Sequence, residues 1–146
     1  MNQANDEKVN LLLKDCDKFG AVDEQTIKMA EQELEVIFPY QYREFLANFG
    51  AVVGYGFEIY GLPHQEASQC PYWQNVVTIA KKLRKNNQIG AENKMFIPIS
   101  HDGMDTYYFI NTECFNKTEI WSIDYLREYI VSFDLYDFIE MLTCKG

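Results

Sequence analysis

The sequence predicts an α+β domain, because helical and strand-like patterns occupy separate parts of the 146-residue chain. Apolar residues recur at helical spacing over roughly residues 5–50. Three short apolar runs rich in aromatic and β-branched residues follow between residues 95 and 124, and a helical pattern ends the chain. A chain of this length has room for one hydrophobic core, so we expect residues 1–146 to form a single domain.

Three helices are predicted in the first third of the chain. The first carries an apolar stripe from Val9 to Phe19 and is expected to end at Gly20, while Asp23 is expected to cap the second. The stripe of the second helix consists of Ile27, Ala30, Leu34 and Ile37. The third helix starts at Pro39, whose missing N–H is harmless in a first turn, and ends at Gly50. Its apolar face consists of Tyr42, Phe45, Leu46 and Phe49.

A glycine-rich loop and a fourth helix follow. Gly54, Gly56 and Gly61 surround a short strand predicted at residues 57–61. The next helix is predicted at residues 71–86, with an apolar side made of Trp73, Val76, Val77, Ala80 and Leu83. Its last turn contains the cluster Lys81, Lys82, Arg84 and Lys85. Cations at this position favour the negative end of the helix dipole, which explains the cluster better than a nucleic-acid patch does.

Three strands are predicted at residues 95–100, 106–111 and 119–124, with Asp102-Gly103 as a turn signal between the first two. Pro98 indicates an edge strand or a bulge. The middle strand is apolar on both faces, so we expect both faces to be covered or to line a groove. Ser132 is predicted to cap the last helix, whose apolar face consists of Leu135, Phe138, Ile139 and Leu142.

The charge of the chain favours some partners over others. The net charge is −9, distributed as −5 over residues 1–50, +2 over residues 51–100 and −6 over residues 101–146. Such a chain repels nucleic acid and anionic membranes and is steered toward basic partners, although solubility alone would explain the charge equally well. No run of apolar residues approaches the ~18 that a membrane helix needs.

Location and redox state follow from the same composition. The polar N-terminus lacks the apolar region of a signal peptide, and we expect a cytoplasmic protein. The four cysteines, Cys16, Cys70, Cys114 and Cys144, are far apart and without a nearby histidine partner, so we expect reduced thiols rather than a zinc site.

No catalytic residue, metal site or cofactor is predicted. His64 and His101 lack a recognisable nucleophile motif, and Ser100, His101 and Asp102 cannot form a triad because consecutive strand residues point to opposite faces. Asp102 and Asp105 could hold a divalent cation weakly, but a calcium loop needs more oxygen ligands. A hydrolase that uses these two carboxylates is an alternative without a positioned base to support it.

Two groups of spaced residues stand out along the chain. The opening group is Ile27, Glu31, Leu34, Phe38-Pro39, Tyr42, Phe45-Leu46, Asn48 and Gly50. The central hairpin group is Ile97-Pro98-Ile99-Ser100, Asp102-Gly103, Asp105 and the apolar run 107–110. These motifs resemble the SUKH superfamily, which includes the yeast cell-wall synthesis regulator and many bacterial immunity proteins, and the resemblance covers about residues 24–142. Met104 departs from the glycine-rich turn that is common in the family.

The resemblance implies a mainly antiparallel sheet with N-terminal helices and a C-terminal helix packed against it. It also implies a non-catalytic immunity protein that binds and blocks a cognate toxin, often a nuclease with a basic surface. The alternative is a regulatory scaffold that binds a housekeeping cytosolic protein.

Five residues near the predicted hairpin and glycine loop are the candidate partner contacts. Carboxylates would pair with basic groups of the toxin, and tyrosines would supply buried anchors. These candidates are Tyr55, Glu58, Asp102, Asp105 and Tyr107. Core packing is an equally good explanation for Tyr107, as is an inert exposed loop for Tyr55 and Glu58.

Overall fold

Two antiparallel sheets and five helices make up residues 3–62 and 74–143, the part of the chain that the computed structural model describes. The helices are α1 (Gln3–Leu12), α2 (Glu24–Leu34), α3 (Tyr40–Phe49), α4 (Val76–Lys85) and α5 (Leu135–Thr143). The strands are β1 (Asp17–Lys18), β2 (Val52–Gly54), β3 (Phe57–Ile59), β4 (Phe96–His101), β5 (Tyr107–Asn111), β6 (Ile120–Ile123) and β7 (Glu128–Ser132). The predicted α+β class with mainly antiparallel pairing is confirmed.

The two sheets have simple strand orders, β1-β2-β3 and β4-β5-β6-β7, and every neighbouring pair is antiparallel. The chain leaving β3 also runs beside β4, where the Tyr60 amide donates to the Ile99 carbonyl at 2.8 Å. The register of β4 on β5 shifts between Pro98 and Ser100. The bulge that Pro98 predicted is therefore confirmed.

The helical layer follows the sequence patterns with two corrections. Asp23 caps α2 as predicted, because its Oδ1 accepts from the Thr26 amide at 2.8 Å. The first helix ends at Leu12 rather than at Gly20, since residues 17–18 pair with β2 and this tertiary pairing outweighs local helical propensity. The second helix ends at Leu34 and is capped by Glu35, which has a left-handed φ of 59°. Ile37 consequently leaves the predicted stripe and is exposed.

Three main-chain segments meet where α3 ends. Gly50 has a φ of 73°, its amide donates to Leu46 and its carbonyl accepts from the Leu62 amide at 3.1 Å. A Cβ added to Gly61 would lie 1.6 Å from the Gly50 carbonyl oxygen, and one on Gly50 would lie 2.3 Å from the Gly20 carbonyl oxygen. Glycine is required at both positions because any side chain would overlap main chain that cannot move away.

A buried carboxylate joins α2 to α3. Glu31 is 5% exposed, and its Oε2 accepts from the Phe38 amide at 2.7 Å and from Arg43 Nε at 3.1 Å. Arg43 Nη2 also donates to Glu31 Oε1 at 3.1 Å and to Glu24 at 2.6 Å. The hydrogen bond with Glu31, together with Glu24, raises the pKa of Arg43 against the opposing effect of burial. The pair fixes the turn between the helices, and Glu31 gives the buried Phe38 amide the hydrogen-bond acceptor that it would otherwise lack.

The four-stranded sheet is covered on both faces, as predicted for its middle strand. Tyr108 packs against Phe138 of α5 with ring centroids 5.0 Å apart. On the opposite face, the loop after α4 brings Gly90 against the buried side chains of Phe109 and Ile123. A helix covers one face of β5 and a loop covers the other, which explains why this strand is apolar on both faces.

Three other sequence expectations need correction or fall outside the structure. Residues 128–132 form β7, so Ser132 ends a strand, and Asp134 caps α5 instead: its Oδ1 accepts from the Tyr136 and Asp137 amides, each at 2.9 Å. The predicted helix 71–86 begins at Val76, with Asn75 as its cap. Trp73, His64, Cys70 and Cys144 lie outside the described residues, while Cys16 and Cys114 are free thiols.

Replacing Gly61 with alanine should lower the free energy of unfolding by roughly 3 kcal/mol or more, because its Cβ would overlap the Gly50 carbonyl. Gly56→Ala is the control. Open space surrounds Gly56, and only its φ of 81° opposes a side chain, so about 1–2 kcal/mol is expected. Urea denaturation followed by circular dichroism measures both changes. Equal destabilisation by the two variants would contradict the close approach at Gly61.

Glu31→Gln should lower the free energy of unfolding by about 2–3 kcal/mol, because Arg43 loses the buried one of its two carboxylate partners and keeps only the exposed Glu24. Glu33→Gln is the matched control on the same helix. Glu33 pairs with Lys81 at the surface with both side chains more than half exposed, so less than about 0.5 kcal/mol is expected. Thermal and urea unfolding of both variants measures these two losses of stability. If Glu31→Gln left the free energy of unfolding unchanged, the buried pair would not be needed for stability.

Candidate functional site

Two hairpin turns lie at the same end of the four-stranded sheet. The register places His101, Tyr107, Ile123 and Glu128 side by side across β4, β5, β6 and β7. The β4–β5 turn at residues 102–106 and the β6–β7 turn at residues 124–127 therefore leave the sheet together. A hydrogen bond from Thr106 Oγ1 to Asp124 Oδ2 at 3.3 Å connects them.

The β2–β3 hairpin points toward the same end. Tyr60 bonds to Ile99, and Ser100 Oγ donates to the Glu58 carbonyl at 2.6 Å, so β3 and β4 run in opposite directions. The tip at Tyr55-Gly56, which precedes β3, is consequently near the end of β4. We call the surface formed by residues 54–58, 101–107 and 123–129 the hairpin end.

The hairpin end carries the most exposed large apolar side chains in the part of the chain that the structure describes. Tyr55 is 94% exposed, Leu126 90%, Met104 80% and Tyr125 75%. Isolated apolar side chains are common on protein surfaces, but four on adjacent turns form a patch of the kind that marks binding surfaces.

The same surface is acidic. Residues 54–58, 101–107 and 123–129 contain five carboxylates and one guanidinium, that of Arg127. Arg127 lies over the ring of Tyr129 at 5.3 Å from its centroid, a cation–π contact. The carboxylates belong to Glu58, Asp102, Asp105, Asp124 and Glu128. A cationic partner would therefore meet a negative potential at this end.

Asp102, a predicted contact, has a structural role in the β4–β5 turn. Its Oδ1 accepts from the Met104 amide at 2.8 Å and from the Thr106 amide at 3.1 Å. Partial burial acts to raise the pKa of Asp102, but these hydrogen bonds and nearby His101 outweigh it, and the pKa is lowered. Asp105 in the same turn is exposed.

Glu58 and Tyr107 lie in a polar cluster beneath the turns. Glu58 Oε2 accepts from Gln74 Nε2 at 2.5 Å, and the ring of Tyr107 lies 4.1 Å from that of His101. Burial and the negative charge of Glu58 raise the pKa of Tyr107 and, more strongly, that of Tyr60. Both phenols therefore remain protonated donors at neutral pH. Tyr107 and Glu58 are half-buried, so they support the surface as well as border it.

The structure brings four of the five predicted contacts together and places the fifth on the neighbouring tip. Glu58, Tyr107, Asp102 and Asp105 belong to one cluster and its turn, and Tyr55 projects from the β2–β3 hairpin. Ser100, next to His101 and Asp102, donates its hydroxyl to the Glu58 carbonyl and so helps to join β4 to β3.

Sequence reasoning missed the whole β6–β7 turn. Asp124 Oδ1 accepts from the amides of Leu126 and Arg127 at 2.8 and 2.9 Å, and these bonds, outweighing slight desolvation, lower the pKa of Asp124. An aspartate directly after a strand and before an alternating segment was the available signal. Met104, which departs from the family pattern, is one of the exposed apolar groups.

Other features of the described residues give no rival site. A groove of about 820 Å³ runs between α2, α3 and the β5–β6 loop, with Ile37 and Phe115 in its wall, but its buried charges Glu31 and Arg43 are paired with each other. Among residues 3–62 and 74–143 no three metal-ligating side chains come together. No described helix is long and apolar enough to cross a membrane.

The fold and the hairpin end define an α+β domain that presents an acidic and apolar surface on three turns. The family model described as SMI1-KNR4 cell-wall, SUKH_5, matches residues 3–142, and the chain belongs to this family of the SUKH superfamily. The resemblance seen in the sequence is thus confirmed over nearly the whole chain. No curated protein gives a significant match.

The lowered pKa of Asp102 predicts how the β4–β5 turn responds to acid. A carboxylate whose pKa is depressed by folding stabilises the fold above its unfolded pKa, and that contribution is lost as pH falls through the folded value. We expect the amide resonances of Met104 and Thr106 to shift with an apparent pKa below that of an ordinary aspartate. An NMR titration from pH 7 to 2 measures this, and Asp102→Asn should remove the transition. A midpoint at or above the ordinary value would contradict the hydrogen bonds.

Proposed function

We propose that this protein is an immunity protein that binds a cognate bacterial toxin and neutralises it by stoichiometric occupancy, without turnover. The observation that carries the proposal is the hairpin end, where the four most exposed large apolar side chains of the described chain lie among five carboxylates. Membership of the SUKH family supports an immunity or regulatory role. The proposal places the protein in the cytoplasm, where it would meet an incoming toxin.

The apolar side chains and the carboxylates of the hairpin end would contribute to binding in different ways. Tyr55, Met104, Tyr125 and Leu126 would enter pockets of the toxin and supply most of the affinity, because buried aromatic and apolar anchors dominate interface energetics. Asp105 and Glu128 would lie toward the rim, where charges chiefly accelerate association and exclude wrong partners.

A nuclease-type toxin domain fits this surface best. Proteins that engage nucleic acid present Lys and Arg to phosphates, so their grooves are basic. An acidic surface with apolar anchors can occupy such a groove and exclude the substrate. The net charge of −9 would attract the same groove over several ångströms beyond contact.

The family description also supports an alternative. It refers to the cell wall, and a non-catalytic scaffold that binds a housekeeping cytosolic protein would use the same exposed surface. The two functions differ in their partner: only the first predicts rescue from a toxin encoded beside this gene.

Co-expression with a candidate toxin domain, taken from any toxin gene found next to this one, tests the proposal. We expect survival, co-purification at 1:1 stoichiometry by calorimetry, and toxin that regains activity when the complex is dissociated. Chemical alteration of the toxin, or death despite a folded and co-expressed protein, would overturn the proposal.

Asp105→Asn combined with Leu126→Ala should weaken toxin binding about 10–100-fold, because one rim carboxylate and one apolar anchor are lost from the hairpin end. Glu113→Gln combined with Leu11→Ala is the matched control. It removes one exposed carboxylate and one exposed leucine from elsewhere, so less than about a 3-fold change is expected.

Surface plasmon resonance compares the two double variants at 50 and 500 mM salt. The wild-type association rate should fall about 10-fold or more at the higher salt, with little change in dissociation. Equal loss in both variants, or binding that is indifferent to salt, would place the interface elsewhere.

A further inference from the structure

The last strand of the four-stranded sheet has a free edge. β7 pairs with β6 on one side, and within residues 3–62 and 74–143 no strand pairs with its other side. Main-chain donors and acceptors along such an edge are a template for another strand.

The composition of β7 makes the edge suitable for pairing. Tyr129, Ile130 and Val131 are aromatic or β-branched, and the strand contains no proline or lysine. Val131 packs partly against the core, whereas Tyr129 is exposed and Ile130 is not among the side chains packed there. An apolar strand that buries so little in the free protein has area left for a partner.

Charge decides which partner this edge fits. Two β7 strands paired with each other would bring the Glu128 carboxylates of both copies into one short interface. Each chain also carries a net charge of −9, so self-association brings like charges together. A strand containing Lys or Arg would instead place a cation beside Glu128. β7 moreover begins at the hairpin end, so one partner could cover both surfaces.

We propose that the outer edge of β7 accepts an extended segment of a basic partner protein as a fifth strand of the sheet. The inference rests on the proposed function, since it assigns part of the toxin contact to main-chain pairing. The added strand would extend over about 17 Å, the length of five strand residues. Its cations would lie near Glu128, and its apolar side chains beside Tyr129 on one face and Ile130 on the other, before the register shift that leaves Val131 without a partner in β6.

Two synthetic peptides test the edge on the purified protein. One alternates threonine and valine between flanking lysines, and the other has glutamates in place of the lysines. We expect the lysine peptide, at millimolar concentration, to shift the β7 amide resonances and slow their hydrogen exchange. The glutamate peptide should do neither. Shifts confined to other elements, or equal effects of both peptides, would overturn the inference.

Charge reversal provides a variant that keeps the fold. Glu128 is exposed, so Glu128→Lys should leave the unfolding midpoint unchanged while weakening lysine-peptide binding by about 10-fold. Glu113→Lys, at the exposed β5–β6 loop on the opposite end of the sheet, is the control and should bind like wild type. A wild-type dimer by light scattering that Glu128→Lys alters would assign the edge to a second copy and overturn the inference.

Experiments with the same candidate toxin domain separate this inference from the proposed function. Protection of β7 amides in the complex supports both. Neutralisation without protection of β7 overturns the edge pairing and leaves the immunity function standing. Failure to neutralise, with β7 still protected by the lysine peptide, overturns the function and leaves the edge as a binding site for a basic strand.

Discussion

The close approach of main chain at Gly20, Gly50 and Gly61 is the constraint on which the arrangement of this protein depends. It joins the end of α3 to the segment that leaves β3, with only backbone between them. That contact places β3 beside β4, because Tyr60 follows within two residues of β3 and bonds to Ile99. The β2–β3 tip is thereby directed toward the turns of the four-stranded sheet, and three separate hairpins contribute to one surface.

The acidic residues of the chain fall into groups with different physical roles. Glu31 is buried and joins two helices through Arg43, whereas Asp23 and Asp134 cap helices. Asp102 and Asp124 accept hydrogen bonds from the amides of their own turns, and Asp105 and Glu128 are exposed to solvent. A net charge of −9 consequently says little about binding until each carboxylate has been assigned. At the hairpin end, Asp105 and Glu128 remain exposed beside the exposed apolar side chains.

The turns of the hairpin end are built to hold their shape. Asp102 and Asp124 each accept two main-chain hydrogen bonds from their own turns, and the Thr106 hydroxyl connects the two turns through Asp124. A surface held in this way loses little conformational entropy when it binds, so more of the contact energy appears as affinity. The carboxylates that organise the turns also contribute to their negative potential.

The sequence by itself determined the α+β class, the Asp23 cap, the end of α3 at Gly50 and the bulge at Pro98, because each depends on neighbouring residues. It also pointed to the candidate contacts Asp102, Asp105 and Tyr107 through the Asp102-Gly103 turn and its flanking strand, and to Tyr55 and Glu58 through the glycine loop. Only the tertiary structure decided that residues 17–18 join a sheet, that 128–132 form an edge strand and that the turn carrying Tyr125 and Leu126 lies at the same end of the molecule as the tip carrying Tyr55. Those features depend on pairing between distant segments, and no local pattern encodes which distant segment a strand will meet.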